Sequence, residues 1–431
     1  MQETEDFVDR ATGHARRRLV PFLLLMYVVA FLDRANIGFA KQALHASAGI
    51  SDATYAMGAG LFFLTYALFE VPSNLILHRV GARVWLCRIM VSWGLVSIAT
   101  LFVSGPRSFY VLRLLLGAAE AGFFPGVILY LSYWFPNRMR GQILGLFYFG
   151  APLAFIFGGP LSGLLLEVPA RTGLQGWQWM FLSEGLLAVA VGAWAYAYLG
   201  DRPEGASWLP EAEQRALLNV LREEEKERRD YGSSAFPAVL LDGRVLHYAL
   251  IYFLIQMSVY GVVFYLPTEI AALVGTTVGV KVGFVSAIPW VCALAMTYWI
   301  PRAGDRYQNH RLLAVITLLA AGIASAVFPA GNPGVALLAL CIAAAGFIAV
   351  QPLFWTFPTR HLTGTAAAGG IAFINAVGAL GGFCAPNAKV WADSHFHSSR
   401  AGLYLLAIFT LITAITVAFV DTHGPRRASK L

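Results

Sequence analysis

Apolar runs of about 20 residues recur along the whole of this 431-residue chain. A helix needs a run of about that length to cross the hydrocarbon core of a bilayer. The chain is 58% hydrophobic and 13% charged, whereas soluble domains average about 25% charged residues. These features predict an all-α polytopic membrane protein with twelve transmembrane helices, near residues 19–41, 53–77, 84–103, 108–135, 142–166, 180–199, 246–268, 280–300, 311–329, 334–357, 365–390 and 401–420.

Lysines and arginines are unevenly distributed between the two sides of the predicted membrane domain. Assigning the polar segments to alternate sides places 22 of them with the termini and 6 on the opposite side. Because basic loops stay in the cytoplasm, we expect both termini to be cytoplasmic and the protein to lie in the lipid bilayer of a bacterial inner membrane. The net charge of +7 then reflects topology, and no nucleic-acid partner is expected. The charged N-terminus and the full-length first span argue against a cleaved signal peptide.

The longest polar stretch, residues 200–245, separates the twelve spans into two sets of six and contains a predicted amphipathic helix. Arg79 and Arg306, like Pro125 and Pro352, are 227 positions apart. This constant separation indicates two duplicated halves. We expect a monomer with an N-terminal tail (1–18), an N-terminal half (19–199), a linker (200–245), a C-terminal half (246–420) and a C-terminal tail (421–431).

Several stretches make the chain resemble a known family. They are FLDRANIGFA (31–40), FEVPSNLILHRVGAR (69–83), GAAEAGFFPGVILYLSYWFP (117–136), GWQWMFLSEGL (176–186) and GTAAAGGIAFINAVGALGGF (364–383). They are similar to the anion:cation symporter family of the major facilitator superfamily, whose members carry tartrate-like acids, sugar acids and aromatic carboxylates. The resemblance implies transport by alternating access. It also implies gating by the basic turns after spans two and eight, which contain Arg79, Arg83, Asp305 and Arg306. The first turn has His78 where the superfamily usually has Asp.

Five ionisable residues lie well inside predicted spans, all in the N-terminal half: Asp33, Arg34, Glu70, Arg113 and Glu120. A charge in mid-span costs roughly 2.5–3.5 kcal/mol on insertion scales, so such residues face a bundle interior or an aqueous cavity and find partners. If the halves are repeats, the C-terminal half has aromatic residues at the places that correspond to Asp33 and Glu120. The sequence therefore indicates that the N-terminal half carries the charge chemistry.

Arg34 stays protonated and is a candidate for binding a substrate carboxylate. Asp33 and Glu120 are candidates for proton coupling, because burial favours the neutral form of a carboxyl and a neighbouring arginine favours the charged form. Asp33 and Arg34 lie about 100° apart around their helix, so one can pair with Arg113 while the other faces the cavity. An Asp33–Arg113 ion pair that only holds spans one and four together remains an alternative. The resemblance implies these same roles for Asp33, Arg34 and Glu120.

Other polar residues have weaker assignments. Glu70, just before Pro72, is expected to act in gating or packing, whereas Glu184 and Glu269 are placed near span ends without a special role. Tyr66, Gln256, Tyr260, Trp355 and Asn375 are candidates for substrate contact, and the alternative for the amides is helix–helix hydrogen bonding. The four cysteines have no pairing or metal-ligand spacing, so neither a metal nor a cofactor is expected.

The leading hypothesis is import of a small organic anion, a carboxylate, by proton symport through alternating access. An efflux antiporter for amphiphilic compounds and an anion exchanger or uniporter are the alternatives, since the fold permits them. An enzyme is not expected, because no nucleophile–base arrangement or soluble catalytic domain is evident. Which organic acid is carried stays open.

Overall fold

The computed structural model describes residues 2–169, 173–230, 242–330, 332–362 and 364–420. The predicted C-terminal tail and part of the linker fall outside these ranges. The described residues form sixteen α-helices and three short 3₁₀ turns. The helices are α1 (Gln2–Ala48), α2 (Asp52–Val80), α3 (Ala82–Ala99), α4 (Pro106–Glu120), α5 (Phe123–Trp134), α6 (Asn137–Tyr148), α7 (Gly150–Leu166), α8 (Gly176–Tyr198), α9 (Glu211–Asp230), α10 (Gly243–Val263), α11 (Leu266–Val274), α12 (Val280–Tyr307), α13 (His310–Val327), α14 (Pro333–His361), α15 (Gly364–His395) and α16 (Ala401–Ala418).

Twelve helical stretches are long and apolar enough to cross a membrane, as the sequence predicts. Two of them are interrupted: α4 with α5 forms the fourth span, and α6 with α7 forms the fifth. The fourth is broken directly after Glu120, at Gly122, which has a left-handed φ of +85° that favours glycine. The first span continues without a break from Gln2, so the charged N-terminal residues belong to the same helix as the apolar ones.

The two halves approach each other through α7 on α12 and through α2 on α15. At Gly159 an added Cβ would lie 2.7 Å from the carbonyl oxygen of Gly283, and at Gly163 it would lie 2.6 Å from that of Gly279. These glycines lie near the end of the bundle opposite to where α1 begins. We call the end where α1 begins the proximal end and the other the distal end. The halves are therefore in backbone contact towards the distal end.

The linker helix α9 packs on the N-terminal half. Leu217 is fully buried in the core that α1 and α9 share. The carboxylate of Glu224 accepts the backbone N–H of Asn137 at 2.9 Å and pairs with Arg140 at 3.1 Å. Helix α9 therefore covers the proximal end of spans one and five.

Candidate functional site

A cavity of about 470 Å³ lies between the two halves. Helices α1, α2, α5 and α6 form one wall, and α10, α14 and α15 form the other. The lining residues are Tyr27, Phe31, Arg34, Phe63, Tyr66, Phe124, Tyr148, Tyr252, Gln256, Tyr260, Gln351, Asn375 and Ala379. Aromatic rings, hydroxyls and side-chain amides dominate this surface, and Arg34 is its charged member. Such a mixture of apolar walls and a few convergent polar groups is typical of a small-molecule site.

The guanidinium of Arg34 joins the two walls of the cavity. Its Nη2 lies 2.5 Å from Oε1 of Glu120, and its Nε donates to the same oxygen at 2.7 Å. Its Nη1 donates to the hydroxyl of Tyr260 at 3.1 Å. The side chain of Glu120 is fully buried and that of Arg34 is 10% exposed. Arg34 is thus both ion-paired within the N-terminal half and hydrogen-bonded to the C-terminal half.

Aromatic rings surround the charge of Arg34. Its guanidinium carbon lies 5.0 Å from the ring centroids of Phe31 and Tyr66 and 5.6 Å from that of Phe62. Rings at this distance attract a cation through their quadrupole while excluding water. The site therefore retains a positive charge in a low-dielectric environment, where its interaction with an anion is strong.

The alternative of an Asp33–Arg113 ion pair is not found among the described residues. Asp33 is 3% exposed and accepts a hydrogen bond from Ser97 of α3. Arg113 donates to the carbonyl oxygen of Gly58 at 3.3 Å, and no carboxylate of a described residue forms an ion pair with it. Because adjacent helical residues point about 100° apart, Asp33 turns to α3 while Arg34 turns to the broken fourth span.

Glu70 connects the halves on the proximal side of Arg34. It is fully buried, and Oε1 accepts a hydrogen bond of 2.6 Å from Nδ2 of Asn375. Asn375 therefore lines the cavity and bonds to the facing half at the same time. This position agrees with either the gating or the packing role expected for Glu70.

The basic turns after spans two and eight are found at the proximal surface. The backbone N–H of Arg83 donates to Asp201 at 2.8 Å, while Arg79 is exposed. In the second turn Asp305 accepts from His310 at 2.9 Å, and Arg306 is exposed. None of the described contacts of these residues reaches the facing half.

Most of the predicted substrate contacts reach the cavity. Arg34, Tyr66, Gln256, Tyr260 and Asn375 line it. Trp355 does not: its ring packs at 4.9 Å behind Tyr252, which takes the place at the surface.

Other lining residues were not predicted. Tyr27 and Phe31 lie seven and three positions before Arg34 and share its helix face, and Tyr252 lies four and eight positions before Gln256 and Tyr260, which also keeps one helix face. That periodicity is a signal that would have found them. Gln351 and Tyr148 come from spans whose cavity face has no charged residue to mark it.

Glu184, which the sequence places near a span end, is buried. Glu184 is 4% exposed and lies in the interior of the N-terminal half. Its Oε2 accepts from Asn36 at 3.0 Å and its Oε1 from Ser162 at 3.3 Å. The sequence misled because Glu184 is only eight residues from the start of α8, a position that reads as a span end.

A second cavity, of about 510 Å³, lies within the C-terminal half. Its walls are mostly apolar, and its carboxyl, Glu269, lies 3.5 Å from the ammonium of Lys389. It has no polar group from the facing half among its lining residues, so we assign the functional site to the cavity at Arg34. No three His, Cys, Asp or Glu side chains of the described ranges are grouped as metal ligands.

The chain matches known transporters over most of its length. The model of the Major Facilitator Superfamily matches residues 23–386. The inner membrane transport protein RhmT of Escherichia coli K12 is 48% identical over 96% of this chain and 98% of its own length. A putative tartrate transporter of Agrobacterium vitis is 43% identical over 98% of this chain and 94% of its own. A quinolone resistance transporter of Acinetobacter baumannii is 42% identical over 96% of this chain and 95% of its own.

The fold is shared with solved structures. The inward-open conformation of the xylose transporter XylE from E. coli superimposes with a TM-score of 0.78, at 15% identity, over 96% of this chain and 98% of XylE. With the twelve apolar helices, these matches make the protein a multi-pass membrane transporter and not an enzyme. The chain belongs to the Major Facilitator Superfamily.

Proposed function

We propose that this protein imports a small organic carboxylate together with protons, by alternating access in a bacterial inner membrane. The observation that carries the proposal is the Arg34–Glu120 ion pair at the wall of the central cavity. One of the named relatives is a putative tartrate transporter, and tartrate is a carboxylate. In the proposed orientation both termini are cytoplasmic, so the distal end faces outwards and the structure is closed on that side.

Binding of substrate and binding of a proton are coupled because the substrate carboxylate competes with Glu120 for Arg34. A substrate carboxylate that binds Arg34 takes the place of Glu120, the partner that the guanidinium now has. Glu120 would then be a buried charge without an ion-pair partner, a situation that costs about 3–5 kcal/mol. Taking up a proton removes that cost. Substrate and proton therefore bind together more favourably than either binds alone, which is the requirement for symport.

Hydrogen bonds across the cavity link the two halves around the site, so binding there can influence how the halves move. Tyr260 and Asn375, both from the C-terminal half, contact Arg34 and Glu70 of the N-terminal half. We propose that Tyr66, Gln256, Tyr260 and Asn375 contact the remainder of the substrate. Glu70 and the turn residues Arg79, Arg83, Asp305 and Arg306 act in gating as the halves rock about the site. Asp33 carries a second proton.

The main alternative is efflux of amphiphilic drugs, which the name of the quinolone resistance relative favours. A permanently charged Arg34 in the cavity wall disfavours cationic compounds. Transport of carboxylates that depends on Arg34 supports import of an organic anion. Arg34-independent efflux of cations supports the alternative.

The test is proton movement in liposomes that contain the purified protein and an internal pH dye. Addition of a panel of organic acids outside should acidify the lumen for at least one compound, and E120Q should abolish that acidification. E269Q is the matched control, because Glu269 lies outside the central cavity. Substrate uptake without proton movement would contradict symport and point to uniport or exchange.

A further inference from the structure

The N-terminal half contains a second pair of buried carboxyls, separate from the Arg34–Glu120 pair. Asp33 of α1 is 3% exposed and Glu184 of α8 is 4% exposed. Neither forms an ion pair with a cation among the described residues. Their hydrogen-bond donors are neutral groups: Ser97 for Asp33, and Asn36 and Ser162 for Glu184. Two carboxylates held in this way repel each other in a medium of low dielectric constant.

Asn36 lies between the two carboxyls. It is fully buried, and it follows Asp33 by three positions, so both side chains lie on one face of α1. Its Nδ2 donates to Oε2 of Glu184 at 3.0 Å. Oδ1 of Asn36 and Oδ2 of Asp33 are both buried, and neither has a hydrogen-bond partner among the described residues.

Two buried acceptors without donors are costly. A proton bound to Oδ2 of Asp33 would remove one of the two charges, and the side chain of Asn36 interacts with both carboxyls, with Asp33 on its own helix face and with Glu184 on α8. One proton thus removes the repulsion between the carboxylates.

The charged groups around the pair act mainly on Asp33, where two arginines favour the charged form and Glu120 favours the neutral one. Arg34, Arg113 and Glu120 interact electrostatically with Asp33, and Asp33 is the charged group that acts on Glu184. Helices α3 and α7, which pack against α8, contribute the hydroxyls of Ser97 and Ser162. Arg34 is occupied by Glu120, and Arg113 bonds to a backbone carbonyl.

We propose that Asp33 and Glu184 hold one transported proton jointly, linked through the amide of Asn36, so that Glu184 is a further proton-coupling residue. The proton binds to the pair from the outer side and leaves to the inner side, and no other group changes its bonds. The inference rests on the proposed proton symport, since it adds a residue to that coupling.

The experiment measures equilibrium accumulation of the transported acid in liposomes under a pH difference of one unit, with the membrane potential clamped at zero. Each coupled proton then multiplies the accumulation ratio by about ten. E184Q should therefore lower the ratio about tenfold, and D33N should do the same. Because the pair shares one proton, the D33N/E184Q double variant should also lose about tenfold, not about a hundredfold.

The matched control is Ser183→Ala, the neighbour of Glu184, whose hydroxyl bonds to the backbone of its own helix at 3.2 Å. It should keep the wild-type ratio. Thermal unfolding and counterflow are measured on every variant to verify folding and turnover. If E184Q does not fold, Asn36→Ala removes the link with both carboxyls intact and should also lower the ratio.

Several results would overturn the proposal. One is an accumulation ratio in E184Q equal to that of wild type. Another is an additive, about hundredfold loss in the double variant. The third is a folded E184Q that loses counterflow as well as accumulation. A wild-type protein without any proton flux would instead contradict symport itself, whatever Glu184 does. The two failures are therefore distinguishable.

Discussion

The two halves of the molecule face the same cavity with different chemistry. The N-terminal half buries five ionisable side chains, each at most 4% exposed: Asp33, Glu70, Arg113, Glu120 and Glu184. The C-terminal half presents hydroxyls and amides to the cavity, from Tyr252, Gln256, Tyr260, Gln351 and Asn375. Its buried ammonium, Lys389, lies towards the distal end with Asp393 at 2.9 Å. The two halves thus differ at the cavity, with the charged groups in one wall and neutral hydrogen-bonding groups in the other.

This separation has a physical advantage. Charges that stay within one rigid half keep their partners when the halves move, whereas an ion pair across the interface would have to be broken in every cycle. The contacts that do cross are weaker and partly neutral, as between Arg34 and Tyr260. Each prediction below alters one side of this comparison.

The largest effect is expected from the charge in the N-terminal wall. R34A should lower carboxylate uptake by about a hundredfold or more, because it removes the cation and leaves Glu120 buried without a partner. Uptake of radiolabelled acid into liposomes measures it. The double variant R34A/E120Q should regain thermal stability but not transport. R88A is the control, since Arg88 is exposed on α3, and transport by R34A at the wild-type rate would contradict the assignment.

Transport should be nearly as sensitive to a change at the contact between the two halves. In Gly159→Val the new side chain would meet the backbone of Gly283, where even a Cβ lies at 2.7 Å. Overpacking of this kind costs about 2 kcal/mol, which corresponds to a roughly thirtyfold loss of the distally closed conformation. Turnover should fall and distal accessibility to a thiol reagent should rise. Gly141→Ala, where a Cβ meets nothing within 4 Å, should behave as wild type. An unchanged turnover in Gly159→Val would mean that closure does not need this contact.

A smaller effect is expected on the neutral wall. Tyr260→Phe removes the acceptor at 3.1 Å from Arg34, and a hydrogen bond to a charged group contributes about 1.5 kcal/mol, or roughly tenfold. The KM for the carboxylate should rise by that factor while the number of coupled protons stays the same. Tyr404→Phe, a partly exposed tyrosine on α16, is the control. A changed proton stoichiometry in Tyr260→Phe would break the division of labour between the halves.

The smallest effect concerns a charge at the edge of the C-terminal half. Burial tends to raise the pKa of Asp242, but the N–H of Arg244 at 2.7 Å and the ring of His361 at 3.2 Å outweigh it and lower the pKa. The carboxylate therefore stabilises the fold above the unfolded-state pKa of about 3.9, and this contribution is lost as the pH falls through the lower folded value. Asp242 is 40% exposed, so solvent limits the effect to less than about 1 kcal/mol.

Thermal unfolding of Asp242→Asn in detergent measures this contribution. The midpoint should be slightly lower than that of wild type near neutral pH, and the difference should shrink in acid. Asp6→Asn, at an exposed carboxyl, should show no difference at either pH. A difference that grows in acid would contradict the assigned sign.

Much of the fold was predictable because lipid imposes a simple rule. Twelve apolar runs give twelve helices, since each backbone polar group inside hydrocarbon must bond within its own segment. The break of the fourth span at Gly122 was not predicted. An added Cβ at that glycine would meet the side chain of Ser73 in α2, and the sequence does not state how closely the two helices approach.

Most residues of the candidate site were predicted from the sequence, but the contacts between them were not. A charge in an apolar run is conspicuous, so Arg34 and Glu120 were found, and five of the six predicted substrate contacts line the cavity. The pairing of Arg34 with Glu120 was missed, because the rotation of α1 about its axis decides whether residue 33 or residue 34 faces α4. Glu184 was set aside for the same reason: its position along α8 was clear, but its neighbours were not.

The sequence by itself determined that the chain crosses a membrane twelve times and that its N-terminal half holds the charges. Both conclusions follow from the sequence because the hydropathy of a segment is the sum over its own residues and does not depend on which helices pack against it. Only the tertiary structure decided that Arg34 pairs with Glu120, that Asp33 turns to Ser97, and that Asn36 connects to Glu184. Those choices depend on helix rotation and packing, which are set by all the side chains together.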